Sequence, residues 1–346
     1  MTPVPAASGF AGEGAGRTSG QGFLSPGHDF GSRYHIIRLL GAGGMGAVYQ
    51  AWDRTLEVAV AIKIMRPQSA ADPGDTVAAE RRFKRELLLA RQVTHKNVVR
   101  IHDLGEIDGI TYITMPYVQG SDLASIIRRE GRMAVERALA IARQIGAGLV
   151  AAHDAGVIHR DLKPANIMID ADDHALIMDF GIARSAAGGM TMTVGAGVGT
   201  IEYMAPEQAR GEAVDQRADI YAFGLIVNDM LLGRRQSGES TAVAELMARI
   251  REAPASVRSI DPTIPAWLDA LVTRCLAPSP AARYEKMKDV LAELEAGEHG
   301  GRTTAIPVMV GATATAGATT TGATSTAPVA LPATAPRPRT ARWLIL

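Results

Sequence analysis

The stretch His159-Arg160-Asp161-Leu162-Lys163-Pro164-Ala165-Asn166 decides how the rest of this chain is read. It follows a helix-like apolar pattern over Ala134–Ala155 and precedes a short apolar run, Ala175-Leu-Ile-Met178. A charged loop held between a helix and a strand is where a scaffold presents chemistry. Asp161 can accept a proton from a hydroxyl nucleophile. Lys163 can neutralise charge on a transferring phosphoryl group. Asn166 offers a neutral oxygen to a hard cation. The strand runs into Asp179-Phe180-Gly181, and a carboxylate at that strand end, beside the loop, suits Mg²⁺ or Mn²⁺. Further along lies Ala205-Pro206-Glu207.

Towards the N-terminus the pattern changes from helical to strand-like. Val60-Ala61-Ile62-Lys63 is an apolar strand closed by a lysine, whose ammonium points into whatever the strand lines. Taken alone it is an ordinary edge-strand lysine. A partner raises its interest: Glu86, in Arg82-Phe-Lys-Arg-Glu86-Leu, on a helix expected from Glu80 to Val93. A buried Lys63–Glu86 pair would fix the ammonium against nucleotide phosphates. Glu80 competes for that role, and Glu86 is preferred because Phe83, Leu87, Leu88 and Ala90 mark an apolar face around it. Earlier still, Gly41-Ala42-Gly43-Gly44-Met45-Gly46-Ala47-Val48 fits G-x-G-x-x-G-x-V. Glycines let backbone approach phosphate closely and leave N–H groups open. A dinucleotide-binding loop shares this spacing, but such a loop opens a helix. Here Val48-Tyr49 continues as strand, so a hairpin turn is expected.

Five motifs in this order resemble the eukaryotic-type (Hanks-type) bacterial serine/threonine protein kinases, over about residues 34–296. The resemblance implies an α+β bilobal fold, with a small β-rich lobe at about 34–115, a hinge at 116–118 and a larger helical lobe at 119–296. It implies ATP and Mg²⁺ as cofactors. Lys63 would position phosphates, Asp161 would be the catalytic base, and Asn166 and Asp179 would hold metal. Val48, Ala61 and Met168 would enclose the adenine, with Met115 as gatekeeper and Val118 as a hinge donor. Pro116 stands where the hinge commonly has an acidic residue, and it lacks an N–H. Asp219 would brace the loop backbone, and Arg283 would pair with Glu207. Lys163 and Gly199-Thr200 are similar to the serine/threonine pattern, with Thr200 contacting Asp161 and Lys163. Arg160 would receive a phosphate from the segment Asp179–Glu207, where Thr191 and Thr193 are the candidates for autophosphorylation. A pseudokinase scaffold predicts loss of Lys63, Asp161 or Asp179, yet all are present. A small-molecule phosphotransferase would normally lack Ala205-Pro206-Glu207.

The rest of the chain sets limits. Lys+Arg and Asp+Glu both number 36, so nothing in the charge points to nucleic acid. The single cysteine, Cys275, excludes an internal disulfide framework and reads as a small buried hydrophobe. Residues 1–33 are Gly-rich and read as a flexible tail, and residues 297–346 as an Ala/Thr/Pro-rich linker. No signal peptide and no run of about 20 apolar residues is visible, so the catalytic part is expected in the cytoplasm. The end, Arg337-Pro-Arg339-Thr-Ala-Arg342-Trp343-Leu-Ile-Leu346, looks like the cytoplasmic flank of a membrane span. Membrane association is therefore expected only if the natural chain continues past Leu346. Protein substrates are the expected partners, with a homodimer through the small lobe by analogy with bacterial kinases.

Overall fold

The computed structural model describes residues 24–43, 46–65, 81, 85–180, 201–233 and 242–302. They form one compact unit with a β-rich and a helical part. The small lobe is an antiparallel sheet of β1 (Asp29–Phe30), β2 (Tyr34–Gly43), β3 (Gly46–Asp53), β4 (Val58–Met65), β5 (Asp103–Ile107) and β6 (Ile110–Pro116). Its strand order is β1-β2-β3-β4-β6-β5. Alternation along β2 to β4 sends Tyr34, Ile36, Tyr49, Ala51, Val60, Ile62 and Ile64 into one apolar cluster. Tyr112 meets Phe30 and Tyr34 edge-on, with ring centroids 5.2 and 5.6 Å away.

Phe30 corrects one expectation. The composition assigned residues 1–33 to a tail, yet β1 pairs with β2 through Phe30↔Tyr34, and Phe30 is buried. One aromatic among glycines is enough to extend the sheet. Arg33 then anchors the corner with a two-pronged bond to Asp53.

Helix α1, residues 85–92, shares an apolar cluster with Ala61, Ile113 and Met115 of the sheet. Leu87, Ala90 and Val93 are buried, whereas Leu88 is 59% exposed. At 100° per residue Leu87 and Leu88 cannot share a narrow face, so Leu88 does not belong to the apolar stripe assigned to it. Phe83 lies outside the residues whose side chains are described.

The large lobe opens with a small sheet, β7 (Gly120–Asp122), β8 (Ile167–Asp170) and β9 (Ala175–Ile177). Helices follow: α2 (Leu123–Glu130), α3 (Val135–Asp154), α4 (Pro206–Arg210), α5 (Arg217–Leu232), α6 (Ala242–Arg251), α7 (Val257–Ile260), α8 (Ala266–Cys275) and α9 (Met287–Arg302). Asp122 caps α2 by accepting the Ser125 N–H at 2.8 Å. Every residue from Ala218 to Leu231 is buried, which makes α5 the axis of the lobe. Its neighbours come very close: a Cβ added at Gly224 would lie 2.8 Å from the Cβ of Cys275 on α8. Cys275 is fully buried and burial pushes its thiol pKa up, as suits a packing residue. Helix α9 runs to Arg302, six residues past the boundary expected at 296 (302 − 296). None of the described helices is long and apolar enough to cross a membrane.

Glu207 and Arg283 form a buried two-pronged ion pair at 2.7 and 2.8 Å, as the sequence resemblance implied. Their side chains are 3% and 0% exposed. Arg283 also donates to the carbonyls of Ala277, Pro278 and Arg217. Arg283→Met strands the Glu207 carboxylate in the interior. It is expected to cost about 3–5 kcal/mol, measured by denaturant unfolding. A loss below about 1 kcal/mol would mean that water reaches Glu207.

Candidate active site

The site is built outward from one carboxylate. Asp219 stands in the first turn of α5 and is 1% exposed. Its Oδ2 accepts the backbone N–H of His159 at 2.8 Å, and its Oδ1 accepts that of Arg160 at 2.9 Å. His153, near the end of α3, donates Nε2–H to Oδ2 at 2.8 Å. Three donors thus converge on one buried charge, which is how such a charge is made tolerable. Arg160 is held at φ 64°, a left-handed conformation that a non-glycine residue keeps only under constraint. Gln208 adds a second hold by donating to the Arg160 carbonyl at 2.9 Å.

His159 fixes the next step of the chain. Its Nε2 is 2.9 Å from the Met178 carbonyl, and its Nδ1 is 3.3 Å from the Asp161 N–H. A carbonyl accepts and an N–H donates, so the ring is neutral with its proton on Nε2. The ring also lies 4.8 Å from that of Phe180, which is buried. His159 opens the stretch that decides the reading, though it was given no role of its own there, and His153 and Gln208 were not singled out from the sequence. Nothing in their spacing distinguishes them from ordinary helix and loop residues, since their partners come from other elements.

The polar side chains of the loop gather around Asp161. Lys163 Nζ lies 2.8 Å from Asp161 Oδ2. Asn166 donates Nδ2–H to the Asp161 carbonyl at 2.8 Å and to Oδ2 at 3.3 Å. Met178 N–H bonds the Asn166 carbonyl at 2.9 Å, which sets Asp179 beside this loop. Asp179 is itself at φ 59°. Across the cleft, Lys63 on β4 reaches Asp179 Oδ1 at 2.8 Å, with its side chain 8% exposed. Burial, the largest single influence, raises the Asp179 pKa, but the charge and hydrogen bond of the Lys63 ammonium, with help from Lys163, more than offset it. The carboxyl is held below its usual range.

Glu86 departs from expectation. The sequence paired it with Lys63, but its Oε1 lies 3.3 Å from Arg160 Nη1. Its Oε2 is buried without a partner among the described residues. The reason is competition for cations. Lys63 carries one compact ammonium, and Asp179 takes it. Arg160 has the longer reach and meets Glu86 instead.

The glycines form the predicted hairpin. Gly41 pairs with Val48 and Gly43 with Gly46. A Cβ added at Gly41 or Gly43 would meet nothing within 4 Å, so that backbone faces open space. A Cβ at Gly46, where φ is 144°, would sit 1.8 Å from the Ile64 carbonyl oxygen. Gly44 and Met45 lie outside the described residues, as do Gly181, Thr191, Thr193 and Thr200. Ala61 faces Met115 across β4 and β6, and both are buried. Val48 and Val118 pack against the same cluster, and Ala42 and Met168 line β2 and β8. Pro116 ends β6 opposite Val60.

This donor set fits a nucleotide with a hard cation. Asn166 turns its nitrogen to Asp161, so its oxygen is the atom that could take a cation, beside the Asp179 carboxylate. The glycine hairpin offers backbone that a side chain would otherwise cover.

Replacing Lys63 tests the electrostatics. In Lys63→Met, burial acts on Asp179 without its strongest counterweight, so the pKa is expected to move up, read by ¹³C-carboxyl NMR across pH. In the native chain the folded pKa is depressed. The stability from this pair is therefore present above the unfolded carboxylate value and is lost as pH falls through the folded one. An unchanged midpoint in the variant would show that Lys63 does not control Asp179.

A family model for the protein kinase domain matches residues 34–293. The serine/threonine-protein kinase PknH of Mycobacterium bovis is 41% identical over 261 residues, covering 74% of this chain and 42% of PknH. PknE of Mycobacterium tuberculosis is 41% identical over 264 residues, covering 76% of this chain and 46% of PknE. A probable serine/threonine-protein kinase of Streptomyces coelicolor is 38% identical over 288 residues, covering 81% of this chain and 42% of the relative. The matched region thus spans less than half the length of each of these relatives. The buried Glu207–Arg283 pair, the Asp219-braced loop and the Lys63–Asp179 contact all lie inside the matched residues, and the chain belongs to the protein kinase family.

Proposed function

We propose that this domain transfers the γ-phosphoryl group of ATP to serine and threonine hydroxyls of protein substrates. The reading is carried by the Asp161 carboxylate, held by Lys163 and Asn166 on a loop whose backbone hangs from Asp219. The glycine hairpin from Gly41 to Gly46, with Val48, Ala61, Met115, Val118 and Met168, would hold the nucleotide. Asn166 and Asp179 would hold Mg²⁺ or Mn²⁺. When bound, nucleotide and metal supply the phosphoryl group and the positive charge that neutralises it during transfer.

The chain's own residues do the rest. Lys163 and Asn166 both contact Asp161 at Oδ2, so Oδ1 is the oxygen proposed to take the hydroxyl proton. Lys163 stands next to that oxygen pair and stabilises negative charge on the group in transit. Lys63 is placed to hold phosphates once it gives up Asp179. Thr200 would meet Asp161 and Lys163 at the substrate end and favour serine or threonine.

The ion pairs suggest how activity is switched. Arg160 holds Glu86 in this structure, and Arg160 is also the proposed receptor for phosphate on Thr191 or Thr193. A phosphothreonine brings nearly two negative charges and outcompetes one carboxylate oxygen at 3.3 Å. Glu86 is then released towards Lys63. The exposed Ile37, Trp52, Leu56 and Val58 give the small lobe an apolar surface suited to a second copy. The domain is proposed to work on the cytoplasmic side.

Incubation with Mg²⁺ and ATP followed by intact-mass measurement tests the assignment. Mass gains of whole phosphates are expected, absent in Asp161→Asn and reduced in Thr191→Ala/Thr193→Ala. Equal gains in Asp161→Asn would sink the catalytic role of Asp161. Undiminished gains in the double threonine variant would move the switch elsewhere.

A further inference from the structure

Helix α6 buries an arginine. Of its residues, Leu246 and Arg249 are the buried ones, three apart and so on one inward face. Arg249 is 4% exposed. A buried guanidinium is costly unless its donors are used. Here Nη1 donates to the Glu202 carbonyl at 2.6 Å, and Nη2 to the Ile201 carbonyl at 3.3 Å. One planar fork on consecutive carbonyls fixes both peptide planes that follow Ile201.

The segment held in this way is not core. Ile201, Glu202, Tyr203 and Met204 are each half-buried and partly open to solvent. Ile201 directly follows Thr200 in the sequence. The far end of the segment is fastened to the lobe interior. Tyr203 donates to the buried Asp229 of α5 at 2.5 Å, Gln208 donates to the Arg160 carbonyl, and Glu207 pairs with Arg283. Arg249 holds the near end, and holds it to another helix. That helix is itself fastened one residue on, where Arg210 of α4 donates to the Ile250 carbonyl at 2.7 Å. Main chain pinned from behind, with side chains left at the surface, is the build of a shelf for another chain.

We propose that Arg249 is a positioning residue for the protein acceptor. It fixes the main chain of Ile201 and Glu202 as the shelf on which the acceptor segment lies, so that the hydroxyl meets Asp161. It touches neither nucleotide nor hydroxyl. The proposal rests on the kinase reading above. Transfer to protein needs two bound groups aligned, whereas water reaches bound ATP without a shelf. In both reactions the attacking oxygen gives its proton to Asp161 and bonds to the γ-phosphorus. The bond from that phosphorus to the bridging oxygen breaks, and ADP leaves with the electron pair.

The test incubates the full chain with Mg²⁺ and ATP, and measures phosphate incorporated into protein beside phosphate released to water. The protein acceptors are the chain itself and a tagged Asp161→Asn copy that keeps Arg249. Loss of folded enzyme lowers both products in proportion, whereas loss of positioning lowers their ratio. In Arg249→Met the protein-to-water ratio is expected to fall about tenfold or more, the effect of losing one charged hydrogen-bonding group. Arg249→Lys keeps the cation without the fork, and its ratio is expected to fall at least about threefold. The lysine variant carries the same comparison where the methionine variant does not fold. A native ratio in Arg249→Met would overturn the role of Arg249, and a native ratio in Arg249→Lys would overturn the need for the fork on both carbonyls. Proportional loss of both products would reduce Arg249 to support of the fold and also overturn the proposal. Absence of transfer to either acceptor by the native chain would instead overturn the kinase reading, and this proposal with it.

Discussion

A single carboxylate, that of Asp219, holds three separately folded pieces in place. A buried charge is acceptable only where donors surround it, and these donors come from the end of α3 and from two consecutive amides of the catalytic loop. The geometry is therefore reciprocal. The loop keeps Arg160 in a left-handed conformation, worth about 1–3 kcal/mol of strain, because relaxing it would strip Asp219 of a partner. His159 carries the same rigidity one layer outward to Met178, and hence to Asp179.

Beyond that rigid layer, each carboxylate of the cleft is matched with one cation. Lys63 serves Asp179, and Arg160 serves Glu86. Each pair spans two elements; Lys63 is buried against Asp179, whereas Arg160 and Glu86 are both partly open to solvent, so the Arg160–Glu86 pair is the one too weak to lock the lobe permanently. Exchange of partners is thus cheap at Arg160, whereas the buried Glu207–Arg283 pair resists it. The contrast follows from burial, not from residue type.

Much of this was legible in the sequence. The order of the glycine hairpin, Lys63, Asp161, Asn166 and Asp179 identified the family, because chemistry demands those residue types at those places. The Glu207–Arg283 pair and the bracing role of Asp219 followed from resemblance. What failed was of another kind. The choice of Glu86 between Lys63 and Arg160 depends on where α1 sits against the large lobe, and no local pattern encodes that. Strand β1 was hidden because composition averages over residues, while Phe30 alone supplies the buried surface. Leu88 was misplaced because adjacent leucines look like one apolar patch until they are set on a helix. His153 and Gln208 act through tertiary partners and left no signal.

The complete burial of α5 reaches beyond packing. A helix wrapped on all sides has no face on which it can persist alone, so it opens only with its surroundings. Because the loop amides hang from its first turn, their opening is tied to cooperative unfolding of the whole lobe. The His159 and Arg160 amides therefore belong with the slowest-exchanging hydrogens of the chain. The loop that carries Asp161 thus inherits the protection of the deepest helix.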